Sequence, residues 1–309
     1  MTELLYLSRA QVADLLPPLQ EQLDLVEQTY RSMASGDVEL PPKPGIHPRP
    51  NAFVHAMPAH LRGQDIVVLK WIAGYRTNKA RGLPYLNGLI ILNDPETGVP
   101  TVVMDAAEIT ATRTAAASGV CIRRWAPPEW RTAAILGCGV QGTRHATVLE
   151  LLNGDARIQA YDPHPDRMRA LDGAVTARAN ARQAVEGAEV VITTGPMPEE
   201  RHPEVDVDWL GDRYLLVPVD FDAYVRAAPI AGAELFLVDD VDQFEYYREL
   251  GHFRDWPRAH GSVGDALATH EAAGRVACVN LGVGALDAVF AKYVLDGARE
   301  RGIGTRLPL

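Results

Sequence analysis

The chain has 309 residues, of which 47% are hydrophobic and 23% are charged. This composition provides apolar material for a large core and argues against disorder. At about 150 residues per domain the length predicts about two domains, with a single large α/β domain as the alternative. The formal net charge is −10, from 30 basic and 40 acidic residues, which argues against a general nucleic-acid or anionic-membrane binder, since those partners require a positive field.

The cysteine pattern and the N-terminus are typical of a reduced, soluble protein. Cys121, Cys138 and Cys278 are scattered, with no C-x-x-C pair, and predict neither a disulfide framework nor a zinc site. The first residues lack a basic segment followed by an apolar one, and no run of about 18 apolar residues occurs. We expect a cytoplasmic location and no metal, no membrane and no nucleic-acid partner.

The first third of the chain predicts helices followed by strands. Apolar residues at helical spacing over 8–35 predict two helices with a break at Pro17 and Pro18. The proline-rich segment 40–50 excludes regular helix and predicts extended chain. Short apolar runs then predict four strands, the last two joined as an antiparallel hairpin by the Asn93–Gly98 turn: 52–57, 65–72, 88–92 and 99–104.

The remainder of the chain alternates between strands and helices. Residues 106–124 predict a helix, and Pro127 and Pro128 mark a domain boundary. The alternation that follows is typical of a parallel sheet covered by helices, so the predicted fold class is α/β. The strands are expected at 132–136, 157–161, 188–193, 213–219 and 234–238, and the helices at 142–152 and 165–171. Chain order alone does not assign a final helix over 284–301 to a domain.

The most informative motif is a glycine-rich loop, Gly137-Cys-Gly139-Val-Gln-Gly142. It follows an apolar strand and opens a helix, and Asp162 ends the next strand. Each glycine has a physical role: Gly137 permits a tight turn, Gly139 lets the backbone approach a pyrophosphate, and Gly142 lets helix and strand pack closely. With all of these parts in order, the motif predicts a dinucleotide site.

The same region favours NAD as the cofactor. The helix that the loop opens presents N–H groups and a positive dipole end at Val140 and Gln141, where a pyrophosphate would bind. Asp162 would accept hydrogen bonds from the adenosine ribose and repel a 2′-phosphate, which favours NAD over NADP. Thr193 and Thr194 end a strand at the same sheet edge, where their hydroxyls either meet the nicotinamide ribose or a phosphate, or cap a turn.

Polar residues in apolar or small surroundings are the candidates for chemistry. Lys70, one of four lysines, lies in an apolar strand and points either to solvent or into a cleft, where it would bind a carboxylate. Arg113 lies in a helix of small residues and suits bidentate carboxylate binding, with a structural ion pair as the alternative. Asp220 follows an apolar strand at the edge where α/β sheets bind ligands, and Asp222 is a nearby alternative.

These features together resemble the ornithine cyclodeaminase/μ-crystallin family, and the resemblance covers nearly the whole chain. It is carried by separated motifs that occur in the family's order. The matching segments are 68–70 with Gly74, Tyr75 and Asn78; 92–98; 111–116; the glycine-rich loop; 186–193; the strand that ends at Asp220; and 282–287.

The resemblance implies a fold and an assembly. It implies a Rossmann-type, doubly wound parallel sheet inserted into an α+β substrate domain made of both chain ends, and a homodimer joined through the strands of the substrate domain. In this chain the substrate-binding and dimerisation domain would be 1–122, completed by 284–309, and the Rossmann domain would be 123–283. The final helix then belongs to the substrate domain.

The resemblance also implies an NAD(P)-dependent reaction at the Cα–N bond of an amino acid. By motif match, Lys70 and Arg113 would hold the substrate α-carboxylate with help from Lys43, and Lys70 and Asp220 would be catalytic, Asp220 as the acid/base that manages the amine. The leading hypothesis is a cyclodeaminase that converts a basic L-amino acid such as ornithine into a cyclic imino acid such as proline plus ammonia, by transient hydride transfer to NAD.

Three alternatives stay open. They are an NAD(P)H-dependent ketimine reductase, an amino-acid dehydrogenase and a non-catalytic dinucleotide-binding protein of the μ-crystallin type. After Asp220 the chain reads Phe-Asp-Ala-Tyr-Val-Arg226 where many cyclodeaminases have Pro-Gly-Lys, and the segment 46–51 differs as well. Both departures fall where the substrate side chain should bind, so the motifs do not specify the amino acid.

Overall fold

A computed structural model of the protein describes residues 3–171, 175–196, 201–269 and 274–309. By its internal contacts the chain divides into two compact units, Met1–Arg113 with Gly282–Leu309 and Thr114–Leu281. Both chain ends therefore belong to the first unit. The sequence-based domain limits were 122/123 and 283/284, whereas the contact-based limits fall at 113/114 and 281/282. The limit at 113/114 lies inside a long helix, where the sequence has no helix breaker before Pro127 to indicate it.

Short strands and helices follow one another along most of the chain. The strands are β1 (Glu3–Leu7), β2 (Val38–Glu39), β3 (Gly45–Ile46), β4 (Ala52–Leu61), β5 (Ile66–Tyr75), β6 (Leu86–Asn93), β7 (Pro100–Asp105), β8 (Thr132–Leu136), β9 (Arg157–Tyr161), β10 (Val175–Ala177), β11 (Val190–Thr193), β12 (Tyr214–Pro218), β13 (Leu235–Val238), β14 (Gly261–Ser262), β15 (Arg275–Val279) and β16 (Thr305–Pro308). The helices are α1 (Arg9–Leu15), α2 (Leu19–Ala34), α3 (Ala107–Trp125), α4 (Val140–Leu152), α5 (Pro165–Arg169), α6 (Ala181–Val185), α7 (Ala227–Ala231), α8 (Val241–Glu249), α9 (Val263–Thr269) and α10 (Gly284–Arg301), with short 3₁₀ turns at Arg62–Gln64, Arg76–Arg81 and Val207–Trp209.

The first unit is built on a mixed sheet that both chain ends complete. Its strand order is β16-β1-β7-β6-β5-β4-β2, with β3 paired to β4. The strands β4 to β7 form an antiparallel meander, and β1 pairs parallel with β7 and antiparallel with β16. Helix α10 packs against β4 and β5, and α1 and α2 pack against α10. The alternation of side chains along β5 therefore places Val68, Lys70 and Ile72 on the buried face of the sheet.

The second unit is built on a sheet of parallel strands in the order β10-β9-β8-β11-β12-β15-β13-β14. Strand order reverses on the two sides of β8, which makes the carboxyl end of β8 a topological switch point where open α/β sheets bind ligands. The parallel, doubly wound arrangement confirms the predicted fold class. Within the described ranges, no helix is both long and apolar enough to cross a membrane.

Candidate cofactor and substrate sites

The glycine-rich loop occupies the switch point and leaves room for a ligand at one of its three glycines. Gly137 follows β8 with a φ of +98°, and a Cβ there would lie 2.9 Å from the backbone of Thr194 and Gly195. A Cβ on Gly142 would lie 2.2 Å from the Gly137 carbonyl oxygen, which explains the close packing of α4 on β8. A Cβ on Gly139 would meet nothing within 4 Å. Gly139 is therefore open toward a ligand, as a pyrophosphate requires.

The N-terminus of α4 is available to an anion. Gly139 caps the helix without any side-chain hydrogen bond, and Val140, the first helical residue, has an exposed side chain. Gln141 follows, and its carbonyl oxygen accepts a hydrogen bond of 2.8 Å from Nδ1 of His145. The first-turn N–H groups thus have no capping side chain, which is the arrangement that binds phosphate at a helix N-terminus.

His145 anchors this first turn within the interior of the second unit. Its Nδ1 must donate to the Gln141 carbonyl, so Nε2 accepts from the Ser118 hydroxyl at 2.8 Å, and Asn280 Nδ2 donates to the same hydroxyl at 3.0 Å. Burial lowers the pKa of His145 to about 4, so the imidazole is neutral at physiological pH. The sequence identified none of this network, because its members lie far apart in the chain.

Asp162 supports the glycine-rich loop from the end of β9. Its carboxylate accepts hydrogen bonds from the backbone N–H of Cys138 at 2.9 Å and of His164 at 2.8 Å. The Arg167 guanidinium lies 3.4 Å from the same carboxylate. The carboxylate is thus placed beside the loop, as predicted, and it also orders the loop through these backbone contacts.

The two threonines that end β11 have different partners. Thr194 donates its hydroxyl to the Gly137 carbonyl oxygen at 2.7 Å and so supports the loop. Thr193 donates to Asp220 Oδ1 at 2.6 Å, and the N–H of Gly195 donates to Asp220 Oδ2 at 2.8 Å. The carboxyl ends of β11 and β12 are therefore joined through Asp220.

Asp220 and Asp222 have opposite electrostatic environments. Burial raises the pKa of Asp220 to about 7, even though Thr193 and Gly195 stabilise its anionic form. For Asp222 burial acts in the same direction, but a hydrogen bond from His252 and the nearby Arg201 outweigh it and lower the pKa. Asp222 stays ionised at neutral pH, whereas Asp220 can hold or release a proton there.

A strained residue separates the two carboxyls. Phe221 has a φ of 62°, in the left-handed region that a bulky residue rarely adopts. Its ring packs against Tyr247, His252 and Phe253, and these contacts hold the turn in place. The turn allows Asp222 to pair with Arg201 while Asp220 stays with the sheet edge.

In the first unit a cluster of buried cations surrounds one carboxylate. Lys70 Nζ lies 2.6 Å from Asp287 Oδ2, and Arg113 Nε donates to Asp287 Oδ1 at 3.1 Å. Lys43 is also buried, and its ammonium donates to the Gly282 carbonyl oxygen at 3.3 Å. Among the described residues, Lys70 and Arg113 contact Asp287 and Lys43 lies near enough to lower the pKa of Lys70, so the arrangement favours a ligand that carries negative charge.

The cluster retains hydrogen-bond donors that an anionic ligand can use. Asp287 engages Arg113 through Nε, so the two terminal nitrogens of the guanidinium lie outside this ion pair, although the residue is only 5% exposed. Lys70 has no exposed surface, and its side-chain nitrogen forms a buried ion pair with Asp287 Oδ2. Burial and the neighbouring Arg113 lower the pKa of Lys70 to about 7, and Asp287 opposes them. At neutral pH the Lys70 amine is therefore only partly protonated, and an approaching anion would favour its charged form.

Gly282 provides the space for the Arg113 guanidinium. It has a φ of +82°, and a Cβ there would lie 2.8 Å from Nη1 and 3.0 Å from Nη2 of Arg113. The glycine is therefore required both by its backbone conformation and by the close approach of the cation.

We expect Gly282→Ala to weaken the binding of a carboxylate ligand by about 10-fold or more, because the methyl group displaces Arg113 and costs about 1–3 kcal/mol of backbone strain. Gly36→Ala is the matched control, since Gly36 has a φ of +79° and a Cβ there meets nothing within 4 Å. Ligand titration and thermal unfolding of both variants separate the displacement of Arg113 from the general effect of backbone strain. Equal loss of affinity in both would show that backbone strain alone is responsible.

The described residues thus bring together most of the predicted site residues in two groups. Lys43, Lys70 and Arg113 lie together in the first unit, with the addition of Asp287, which was not among the predicted site residues. A signal was present, since Asp287 is an acidic residue in the otherwise small and apolar start of α10. The predicted cofactor residues and Asp220 lie together in the second unit, at the carboxyl edge of its sheet.

The fold and the two sites define a class of two-unit α/β proteins in which a Rossmann-type unit is combined with an α+β unit made of both chain ends. A family model described as the ornithine cyclodeaminase/mu-crystallin family matches residues 3–224, and the chain belongs to this family. This confirms the resemblance inferred from the motifs.

Three similar proteins extend the comparison over the whole chain. Nodulation efficiency protein NfeD of Rhizobium meliloti is 38% identical, over 97% of each chain. An alanine dehydrogenase of Archaeoglobus fulgidus is 26% identical, over 99% of this chain and 98% of its own. The solved structure of an archaeal alanine dehydrogenase dimer with bound NAD superimposes with a TM-score of 0.87 at 25% identity, over 100% of both chains.

Further relatives bear the names ornithine cyclodeaminase, Δ1-pyrroline-2-carboxylate reductase and ketimine reductase mu-crystallin. The family therefore includes cyclodeaminases, imine reductases and amino-acid dehydrogenases.

Proposed function

We propose that the protein catalyses NAD-dependent hydride transfer at the Cα–N bond of an α-amino acid that it binds by the α-carboxylate. The observation that carries this proposal is the group of buried cations Lys43, Lys70 and Arg113 near the carboxylate of Asp287. A substrate carboxylate would neutralise the excess positive charge and accept hydrogen bonds from the donors of Arg113 and Lys70 that Asp287 does not engage.

The second unit fits a dinucleotide. Gly139 leaves open space at the uncapped N-terminus of α4, where Val140 and Gln141 would hold the pyrophosphate. Asp162 would bind the adenosine ribose, and the end of β11, with Thr193 and Thr194, would lie beside the nicotinamide half. When bound, NAD supplies a hydride acceptor and donor.

Asp220 is the residue that we assign to proton transfer. A carboxyl group with a pKa near 7 can accept a proton from a substrate ammonium and return it at neutral pH. Asp222 does not suit this role, because a hydrogen bond from His252 and the ion pair with Arg201 lower its pKa and keep it ionised. The open choice between the two carboxyls therefore resolves in favour of Asp220 within this proposal.

For the net reaction we propose a cyclodeaminase acting on a basic L-amino acid. Bound NAD would supply the transient hydride acceptor for Cα and would return the hydride to the cyclic imine, so no cofactor would be consumed; between these steps the distal amine would attack the imine carbon and ammonia would leave. Lys70 and Arg113 would hold the carboxylate throughout, and Asp220 would take the proton of the distal ammonium so that its nitrogen can attack.

An amino-acid dehydrogenase is the second candidate. A relative named alanine dehydrogenase matches 99% of this chain, and the sequence after Asp220 lacks the Pro-Gly-Lys of many cyclodeaminases. In that reaction water replaces the internal amine, and net NADH accumulates. The carboxylate clamp and Asp220 would keep the same roles.

One experiment tests the proposal and separates its two forms. The protein is incubated with NAD⁺ and a panel of basic and neutral L-amino acids while ammonia and the absorbance of reduced cofactor are followed together. Ammonia without net NADH identifies the cyclodeaminase, and ammonia with NADH identifies the dehydrogenase. A panel of cyclic imines with NADH tests the reductase. No turnover in either direction contradicts the proposal.

We expect tighter binding of NAD than of NADP, because Asp162 places negative charge where the 2′-phosphate would lie. Arg167 partly offsets that charge, so Arg167→Ala should weaken NADP further and leave NAD nearly unchanged. Arg169→Ala on the same helix is the control, since its ion pair is with Asp166. Calorimetric titration of both cofactors measures the ratio, and an NADP affinity above that of NAD would refute the role of Asp162.

We also propose that the protein is a homodimer joined through the sheet of the first unit. Trp71 and Leu89 are opposite each other on β5 and β6 and expose an apolar surface on the face of the sheet that α10 does not cover. Leu89→Asp should therefore give a monomer in light scattering. Leu151→Asp on α4 is the matched control, because both leucines are 42% exposed. A monomeric unaltered protein over a wide concentration range would exclude the dimer.

A further inference from the structure

We propose that Asp287 is a positioning residue that holds Lys70 and Arg113 together as one carboxylate-binding clamp. The inference rests on the proposed function for the identity of the ligand. One fully buried carboxylate divides its oxygens between two cations, with Oδ2 at 2.6 Å from Lys70 Nζ and Oδ1 at 3.1 Å from Arg113 Nε. The two cations come from a strand and a helix that are distant in sequence, and Asp287 is the contact they share.

More positive charge lies around Asp287 than is needed to neutralise its carboxylate in a structural ion pair. A buried carboxylate is neutralised by one cation, yet Asp287 contacts two, and Lys43 is close enough to lower the pKa of Lys70 further. Asp287 lies in the first turn of α10, where the helix dipole favours a negative charge. The helix therefore presents an anion that contacts both cationic side chains, and the positive charge that Asp287 does not neutralise favours an anionic ligand.

Asp287 contacts both cations in a way that leaves hydrogen-bond donors for a ligand. Asp287 engages Arg113 through Nε, so the two terminal nitrogens stay beside Gly282, where the absence of a Cβ leaves space. Lys70 Nζ likewise contacts Asp287 through a single oxygen, Oδ2. The carboxylate thus fixes both cations from one side and leaves the donors that bind a planar carboxylate in two-point fashion.

Asp287 also favours the charged form of Lys70. Burial and Arg113 lower the pKa of Lys70 to about 7, and Asp287 is the group that raises it. Without Asp287 the ammonium would lose its proton at neutral pH and could no longer attract a substrate carboxylate. Positioning and charge therefore depend on the same residue.

The low lysine content makes this role measurable without turnover. The chain contains Lys43, Lys70, Lys79 and Lys292, so lysine labelled with ¹³C at Cε gives four NMR signals, which single Lys→Arg variants assign. In Asp287→Asn we expect the titration midpoint of Lys70 to fall by about 1–3 pH units relative to the unaltered protein. Asp296→Asn is the matched control, because Asp296 lies on the same helix and pairs with Lys292. An unchanged Lys70 midpoint in a folded Asp287→Asn protein overturns the proposal.

A second variant covers the case in which Asp287→Asn does not fold. Arg113→Gln reduces the excess of positive charge, and removal of a neighbouring cation should raise the Lys70 midpoint by about 1 pH unit or more. If the midpoint stays unchanged, Lys70 and Arg113 are not held at one carboxylate and the proposal fails.

Steady-state kinetics adds a second test, the pH dependence of KM, which would not change if Asp287 had a purely structural role. At neutral pH, Asp287→Asn should raise KM for the amino acid by about 10-fold or more with a smaller effect on kcat, and lowering the pH should restore KM as Lys70 regains its proton. A raised KM that does not recover at lower pH contradicts the role. Absence of turnover in the unaltered protein with every substrate would instead contradict the proposed function, and the NMR titration would still test Asp287.

Discussion

Asp220→Asn should lower turnover by roughly 10²–10⁴-fold while the protein still binds NAD and the amino acid, since the amide keeps the shape of the carboxyl but cannot carry a proton. The substitution is compatible with the site. The amide oxygen can accept from the Gly195 N–H, and the amide nitrogen can donate to the Thr193 hydroxyl, which turns from donor to acceptor. Single-turnover kinetics and separate ligand titrations measure chemistry and binding independently.

The same variant has a predicted effect on stability. The pKa of Asp220 is raised to about 7 in the folded protein, so the folded state binds more protons than the unfolded state between about pH 4 and 7. Stability from this group therefore falls as the pH rises through that window, and Asn removes the cost. We expect Asp220→Asn to unfold at an equal or higher temperature than the unaltered protein at pH 8, and at an equal or lower temperature at pH 4.

Asp222→Asn provides the contrast. Its carboxylate pairs with Arg201 and accepts from the N–H of Phe253 at 2.7 Å, so neutralising it should destabilise the strained turn at Phe221. We expect lower thermal stability from Asp222→Asn and a smaller loss of turnover in the protein that remains folded. If Asp222→Asn abolishes turnover in a stable protein and Asp220→Asn does not, the acid/base has been assigned to the wrong carboxyl.

The sequence predicted those elements whose determinants are local. Pro17 and Pro18 separate α1 from α2, and the Asn93–Gly98 turn joins β6 to β7, both as expected. The strands β1 and β16 were not predicted, because each is short and they pair with each other from opposite ends of the chain. The strand β4 extends to Leu61 rather than stopping at Met57, since pairing with β5 outweighs the break in the apolar pattern after that residue.

The site was predictable in residue type but not in geometry. Alternation along β5 left two directions open for Lys70, and the choice is settled by Asp287, which the chain supplies far downstream on α10. The distinction between Asp220 and Asp222 likewise depends on Thr193 and Arg201, residues outside the local motif. Ion pairs and desolvation arise only when the chain is packed. The sequence therefore indicates which residues are candidates for the site, whereas the fold determines their pKa values.

Arg113→Ala should weaken binding of the amino acid by about 10- to 150-fold at pH 6, through loss of charge-assisted hydrogen bonds worth about 1.5–3 kcal/mol. NAD affinity should stay nearly unchanged, because the residues proposed to bind NAD are Gly139, Val140, Gln141, Asp162 and the threonines that end β11, and not Arg113. Arg31→Ala is the control, since Arg31 forms an exposed ion pair with Glu27 on α2.

The pH dependence of that loss distinguishes a clamp from a structural ion pair. In the unaltered protein, affinity for the carboxylate should fall as the pH rises above about 7, where burial and Arg113 cause free Lys70 to lose its proton. Removing Arg113 raises the pKa of Lys70, so the fall should move to higher pH and the ratio of the two affinities should shrink between about pH 6 and 9. Calorimetry in buffers of different ionisation enthalpy should also show that the unaltered protein takes up a proton on binding at about pH 8, and that Arg113→Ala takes up less. An affinity ratio that is constant over this range, with no proton uptake, would show that Lys70 does not share the ligand with Arg113.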